Sequence, residues 1–233
     1  QTNKEIVELL ISQQGIKINQ ADKNGFTPLH VAVSYGSREI VQLFLQHAII
    51  DINKSGYCNN TPLNIAIEQE NQEIVQLFLQ KEGIDINKPG YCNNSPIHIA
   101  AMNKNQFIMH MLLQQQRIDL NKIGFCNNTA IHIAVIQGNK DIIELLLQQD
   151  GIDINKLGHR YNSPLHFAIE GGNHDIVRLL IEHGANINAP NNQGKNCIQI
   201  AAEYGHENIV KLLNNYLYVI EENNSNIIQE NHY

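Results

Sequence analysis

Two kinds of residue recur at a fixed spacing in this chain, and both are types that can do chemistry. His30, His98, His132 and His166 share one position of a 34-residue period. A ladder of imidazoles is the raw material of a metal site or a pH sensor. Cys58, Cys92 and Cys126 share another position, and thiols in register raise disulfides or zinc. Against these stand several absences. The sequence holds no HExxH pair, no Gly-rich phosphate loop and no nucleophile elbow. The Glu and Asp residues are scattered and read as solvated helix exteriors. A third recurring set is Tyr57, Tyr91 and Phe125, one residue before the cysteines.

The elements that position these residues come from the repeat itself. Lys88-Pro89-Gly90-Tyr91-Cys92-Asn93-Asn94-Ser95-Pro96-Ile97 has a near-copy 34 residues before it, from Lys54, and another 34 after it, from Lys122. A period of this length marks a stacked array in which each unit buries its apolar face against its neighbours. Thr27-Pro28-Leu29-His30-Val31-Ala32 recurs as Ser95-Pro96-Ile97-His98-Ile99-Ala100 and Ser163-Pro164-Leu165-His166-Phe167-Ala168. Weaker copies begin at Thr61, Thr129 and Asn196. A closing element recurs as Ile50-Asp51-Ile52-Asn53, Ile84-Asp85-Ile86-Asn87, Ile118-Asp119-Leu120-Asn121, Ile152-Asp153-Ile154-Asn155 and Ala185-Asn186-Ile187-Asn188. This pattern resembles the ankyrin repeat. The resemblance runs from Asn3 to about Leu217 and implies an all-α ankyrin-repeat α-solenoid with β-turn fingers.

Laid on the chain, it predicts a partial repeat over 1–19, with Lys4 to Ser12 as a second helix. About six repeats follow, over 20–53, 54–87, 88–121, 122–155, 156–188 and 189–220, as one continuous array. A partial first repeat leads us to expect sequence upstream of Gln1. Thr27 is placed to cap the helix begun by Pro28. Ile40, Val41, Phe44 and Leu45 make one apolar face of a second helix. From Pro62 to Asn87 is 25 positions, whereas Pro164 to Asn188 is 24, so a longer loop is expected after the second helix, as at Gln80-Lys81-Glu82-Gly83. Asn214-Asn215-Tyr216 reads as the point where the last helix relaxes toward solvent. The segment 221–233 is polar and reads as a disordered tail, with Ile227 and Ile228 as its anchor.

The resemblance also reassigns the chemistry. In this family the histidine hydrogen-bonds within and between repeats, and buried polar groups are normally satisfied in that way. Ankyrin-like units stack at the helix-packing distance of ~10 Å, whereas a disulfide needs Cα atoms within about 7 Å. Neighbouring thiols are therefore expected to stay free, and the same separation opposes a zinc site. Cys197 is alone in a position where a Pro would normally sit. No cofactor is expected. Thiol titration with and without zinc tests the remaining metal-binding reading. Free thiols fit a reducing, intracellular setting, taken as cytoplasmic.

The fingers are more informative. Asp22-Lys23-Asn24-Gly25 is the ordinary turn, but its later copies move the glycine to the first position (Gly56, Gly90, Gly124, Gly158). Asn59, Asn93 and Asn127 stand where Gly would be, and Asn tolerates a left-handed backbone. The tips then carry Tyr57, Tyr91 and Phe125, with His159 as a polar fourth. On one reading these rings stack on each other and shield the fingers. On the other they line a concave groove and anchor a partner. Pro89, Ile123 and Leu157 add apolar surface beside the tips. Met102, Ile136, Glu68, Glu170, Glu203 and Tyr204, at the ends of the first helices, are expected to face the same groove. Its centre is expected to be apolar and its flanks acidic, suiting an extended or helical segment with apolar anchors and some basic residues.

Charge narrows the functions further. A net charge of −7 argues against non-specific nucleic-acid binding, which needs clustered Lys and Arg. No apolar run approaches the ~18 residues needed to span a bilayer, and no secretory signal is visible. The sequence thus predicts a non-catalytic, monomeric scaffold binding a protein or peptide segment. The alternative is the targeting arm of a larger enzyme or secreted effector, acting in a host cytosol, with catalysis encoded elsewhere.

Overall fold

A hydroxyl side chain placed just before a proline starts most of the first helices of the repeats. In the computed structural model, which describes the backbone of residues 2–230 and the side chains of 4–219, Thr27 is extended and its side chain accepts from the His30 amide at the start of α2 (Pro28–Ser34). Thr61 does the same for Asn64 at the start of α4 (Pro62–Glu68). Ser95 and Ser163 form reciprocal caps with His98 and His166 at α6 (Pro96–Met102) and α10 (Pro164–Glu170). Proline suits the first turn because its missing N–H has no partner there. The remaining first helices are α8 (Ala130–Ile136) and α12 (Cys197–Glu203).

The second helices start differently. Asn71, Asn105, Asn139 and Asn173 each accept the amide three residues on. They open α5 (Gln72–Leu79), α7 (Gln106–Leu113), α9 (Lys140–Leu147) and α11 (His174–Glu182). Before them the chain turns through a left-handed residue: Gly36, Glu70, Lys104, Gly138, Gly172 and Gly205. The set is completed by α1 (Thr2–Ile11), α3 (Arg38–Gln46) and α13 (Glu207–Glu230), and no strand occurs among the described residues.

The chain divides into two units, Gln1–Ala130 and Ile131–Tyr233. In the first, α2, α4 and α6 pack in one row and α1, α3, α5 and α7 in another, with each first helix against its own second helix. Leu29, Val33, Val41, Leu63, Ile67, Phe78, Ile97, Ile108 and Leu112 are buried between the rows. α1 packs on α3 without a first helix beside it among the described residues. A cavity of about 840 Å³, lined by Val7, Phe26, Val31, Tyr35, Ile40 and Phe44, lies there. In the second unit α10 packs on α11 and α12, and α13 on α11 and α12. Ile131, Ile142, Leu146, Leu165, Val177, Leu180, Ile200 and Leu213 form its core.

A ladder of asparagines stitches the closes together. Asn53 donates to the Gly83 carbonyl at 2.8 Å and accepts from the Asp85 amide at 2.9 Å. Asn87 repeats this with Arg117 and Asp119, and Asn155 with Gly184 and Asn186.

Two expectations need correction. The last helix does not relax at Asn214-Asn215-Tyr216: it continues through them, and the Tyr216 hydroxyl donates to Glu182. The tail expected from Glu221 is helical in backbone as far as Glu230. No Gly or Pro occurs after Gly205 to stop it. The side chains of Ile227 and Ile228, and residues 231–233, lie outside the described residues. The longer loop after the second helix is present. α5 ends at Leu79 and five residues lead to Asp85, whereas α11 ends at Glu182 and three lead to Asn186.

Candidate functional site

The histidines belong to the framework. His30 Nδ1 lies 2.7 Å from Thr27 Oγ1 and accepts the Thr27 amide at 3.1 Å, while Nε2 lies 3.2 Å from the Asn60 carbonyl of the next finger. His98 spans Ser95 and Asn128 in the same way, and His166 spans Ser163 and Ala189. His132 Nε2 reaches the Asn162 carbonyl. Burial holds His30, His98 and His166 below the usual imidazole value, against hydrogen bonds that raise it. His30, His98 and His166 thus have both ring nitrogens engaged, and their lowered values favour the neutral form. The cysteines are free thiols, with Cys58 and Cys92 exposed. Cys197 is buried, which pushes its thiol up to about 12.

The fingers depart from the ordinary turn in a way the sequence only half shows. In the ordinary finger Asp22 Oδ1 accepts the amides of Asn24 and Phe26, and Gly25 alone is left-handed. In the variant fingers two consecutive residues are left-handed: Cys58 and Asn59, Cys92 and Asn93, Cys126 and Asn127, Arg160 and Tyr161. The closing bonds survive, as in Gly56 N to Asn60 O at 2.8 Å and Asn59 N to Gly56 O at 3.1 Å. The glycine in first position serves close approach. A Cβ on Gly124 would lie 2.5 Å from Asn94 Oδ1 and 2.8 Å from the His98 ring.

Bracing has moved from within each finger to between fingers. Asn60 Oδ1 accepts the Tyr91 amide at 2.8 Å, and Asn94 Oδ1 accepts the Phe125 amide at 3.1 Å. The other end of each asparagine reaches the end of its own first helix. Asn60 Nδ2 donates to both Glu68 oxygens at 3.0 and 3.3 Å, and Asn94 Nδ2 reaches Met102 Sδ at 3.8 Å. Asn162 Nδ2 donates to Glu170 at 2.9 Å, but its buried Oδ1 has no partner among the described residues. The finger after it is again of the ordinary kind, braced internally by Asn191.

In the first unit Tyr57, Tyr91 and Phe125 stand at the finger tips, 62%, 60% and 59% exposed. They do not stack as a column. Among the described residues the ring contact in this row is Phe26 with Tyr57, centroids 6.1 Å apart. Ile123 and Met102 are exposed and Pro89 is half-buried. Tyr57, Tyr91 and Glu68 meet around one cavity of about 540 Å³, which Phe26, Asn60 and Ile65 also line. Phe26 and Asn60 were not foreseen. Asn60 was visible as part of a recurring Asn-Asn pair, read only as a turn. In the second unit Ile136, Leu157, His159 and Tyr204 are exposed and Glu170 half-buried. Tyr161, exposed on the finger beside His159, is a further aromatic that the sequence reading missed.

A family model described as ankyrin repeats, in three copies, matches residues 1–90, 87–158 and 157–226. The chain belongs to the ankyrin repeat family. Among solved structures it is similar to EF0377, an ankyrin repeat protein, at 29% identity and a TM-score of 0.74, covering 79% of this chain and 95% of that one. It is also similar to the ankyrin repeat domain of Bcl-3, described as a unique member of the IkappaB protein family, at 27% identity and a TM-score of 0.75, covering 82% and 86%. No curated protein matches this chain. Ankyrin repeats are in general protein–protein interaction modules, and the family is typically non-catalytic. No helix among the described residues is long and apolar enough to cross a membrane.

Proposed function

We propose that this ankyrin-repeat chain is a non-catalytic scaffold that binds a segment of another protein across the fingers and first-helix ends of its first unit. The observation that carries the reading is the row Tyr57, Tyr91 and Phe125, more than half exposed at positions where the turn itself requires no ring. Broad, rigid aromatic side chains are typical interface anchors because they bury much area at small entropic cost. Pro89, Ile123 and Met102 extend the apolar surface around them, and Glu68 supplies charge. An extended or helical segment with apolar anchors and some basic residues fits this lining. Ile136, Leu157, His159, Glu170 and Tyr204 hold related repeat positions in the second unit and are proposed to contact the same class of segment. Free Cys58, Cys92 and Cys126 suit work as a monomer in a reducing, intracellular setting.

The test is selection of a displayed random-peptide library on the full chain. The triple variant Tyr57→Ala, Tyr91→Ala, Phe125→Ala, checked for folding by circular dichroism, is compared with the wild type. Selected peptides should bind the variant at least about tenfold more weakly, the loss of one modest anchor. Equal binding to both would remove the finger surface from the site.

A further inference from the structure

From the cavity between the first three fingers we infer that the chain recognises an arginine side chain of its partner, with Glu68 receiving the guanidinium beneath the rings of Phe26, Tyr57 and Tyr91. This rests on the scaffold reading above and specifies its chemistry. The cavity, about 540 Å³, is large enough for a side chain, and Ile65 gives it an apolar wall. Its rings come from three successive fingers, and its acid from the end of α4. Phe26 and Tyr57 lie with ring centroids 6.1 Å apart and planes tilted by 35°, and both line the cavity.

Glu68 is the feature that turns an aromatic cavity into a cation site. Along the first-helix ends of this unit the equivalent residues are Ser34 and Met102, so Glu68 brings a single negative charge to the row. Its hydrogen-bond partner is a neutral amide, Asn60, and no ion pair among the described residues reaches it. Burial raises its carboxyl above the usual range, and the Asn60 hydrogen bond only partly offsets this. A carboxylate drawn partly out of water without a cation is under-compensated, and an entering cation restores the balance. Asn60 is itself anchored by the Tyr91 amide, so the acid, the amide and the finger form one braced unit.

Arginine fits better than lysine. Its planar guanidinium stacks on aromatic faces and offers a two-pronged edge to a carboxylate, whereas an ammonium is a compact, strongly hydrated charge. Cation–ring contact adds to this, more so the further water is excluded. The chain's net charge of −7 favours approach of a basic segment.

The experiment uses peptides selected on the full chain that lose binding to the triple aromatic variant. Each is resynthesised with its arginine replaced by citrulline, which keeps shape and removes charge, and separately by lysine. Binding is measured on the wild type and on Glu68→Gln, which keeps an acceptor for Asn60. The inference expects an arginine common to these peptides. Citrulline should weaken wild-type binding about tenfold or more, the scale of one desolvated cation contact. Glu68→Gln should cause a similar loss, and citrulline should add little on top of it. Finger-dependent peptides that tolerate citrulline, or that bind Glu68→Gln unchanged, would overturn the arginine pocket and leave the scaffold reading standing. Equal affinity for the lysine form would overturn the guanidinium assignment. If selection yields no finger-dependent peptide, the scaffold reading fails and the pocket falls with it.

Discussion

Asn64 holds the position at which His30, His98 and His166 cap their helices and tie themselves to the next finger. As an asparagine it does half the work. Its Nδ2 reaches the Lys88 carbonyl at 3.5 Å, while its buried Oδ1 has no partner among the described residues. The glycine beside the site is the same as in the histidine repeats: Gly90 carries no Cβ next to Asn64, as Gly56 carries none next to His30. Asn64→His should therefore engage Thr61 on one side and the Asn94 carbonyl on the other. It removes an orphaned acceptor, so a gain of about 1 kcal/mol is expected. A urea titration measures it, and a lower midpoint than the wild type would show that repeat two cannot seat the ring. The sequence made the missing histidine plain. It did not show that the substitute leaves an atom unsatisfied, because that depends on where the next finger's carbonyls lie.

At the scale of the element, the turn between first and second helix asks the same backbone of six repeats and receives different residues. Gly36, Gly138, Gly172 and Gly205 are left-handed there, and so are Glu70 and Lys104, at φ 56° and 58°. A Cβ in that region costs on the order of 1 kcal/mol, and glycine is the usual residue after a helix end. Lys104 is exposed, so Lys104→Gly should raise stability by up to about 1 kcal/mol. A raised urea midpoint with unchanged circular dichroism is the expected result, and a lowered one would mean that the glycine's extra freedom when unfolded outweighs the relief. Helices and their caps were legible because they are local: Thr27, Thr61, Ser95 and Ser163 announce them by neighbouring proline. The second left-handed residue of the fingers was not legible. Cys58, Cys92 and Cys126 have no intrinsic preference for that backbone. In the Cys92 and Cys126 fingers the backbone goes with a bond across repeats, from the amides of Tyr91 and Phe125 to Asn60 and Asn94 of the preceding finger, whereas Cys58 takes the same backbone with Phe26 at the corresponding place before it.

Across the whole molecule the histidine tethers make stability depend on pH. His30 lies near Asp22 and Asp51, His98 near Asp119 and Lys122, and His166 near Glu170, but burial is the largest influence on each and holds its pKa below the ordinary 6.5. The unfolded chain then takes up protons before the folded one as pH falls. The tethers' stability is fully present above about 6.5 and is lost as pH drops from there toward the folded-state values. Each ring contributes a slope of up to about 1.4 kcal/mol per pH unit in that window. Urea midpoints should be level from pH 8 to 7 and fall steeply toward pH 5, whereas His98→Asn should be less stable at pH 8 and fall less steeply, roughly one proton shallower. A wild-type profile level through this range would mean that the rings are not neutral tethers.

The sequence by itself determined the architecture and the identity of the repeating parts. Period, cap and apolar spacing are properties of neighbouring residues, and each near-copy repeats the same instruction. It also placed Tyr57, Tyr91 and Phe125 at turn tips, since only a turn fits between a close and the start of the next first helix. The tertiary structure decided that these rings stay apart, and that Tyr57 and Tyr91 share a cavity with Phe26 and Glu68. Those residues come from three successive repeats, and their meeting depends on the distance between stacked helices and on the Asn60 bond that sets the Tyr91 finger over the one before. A spacing in sequence cannot state that distance, because it is the outcome of side chains packing between repeats.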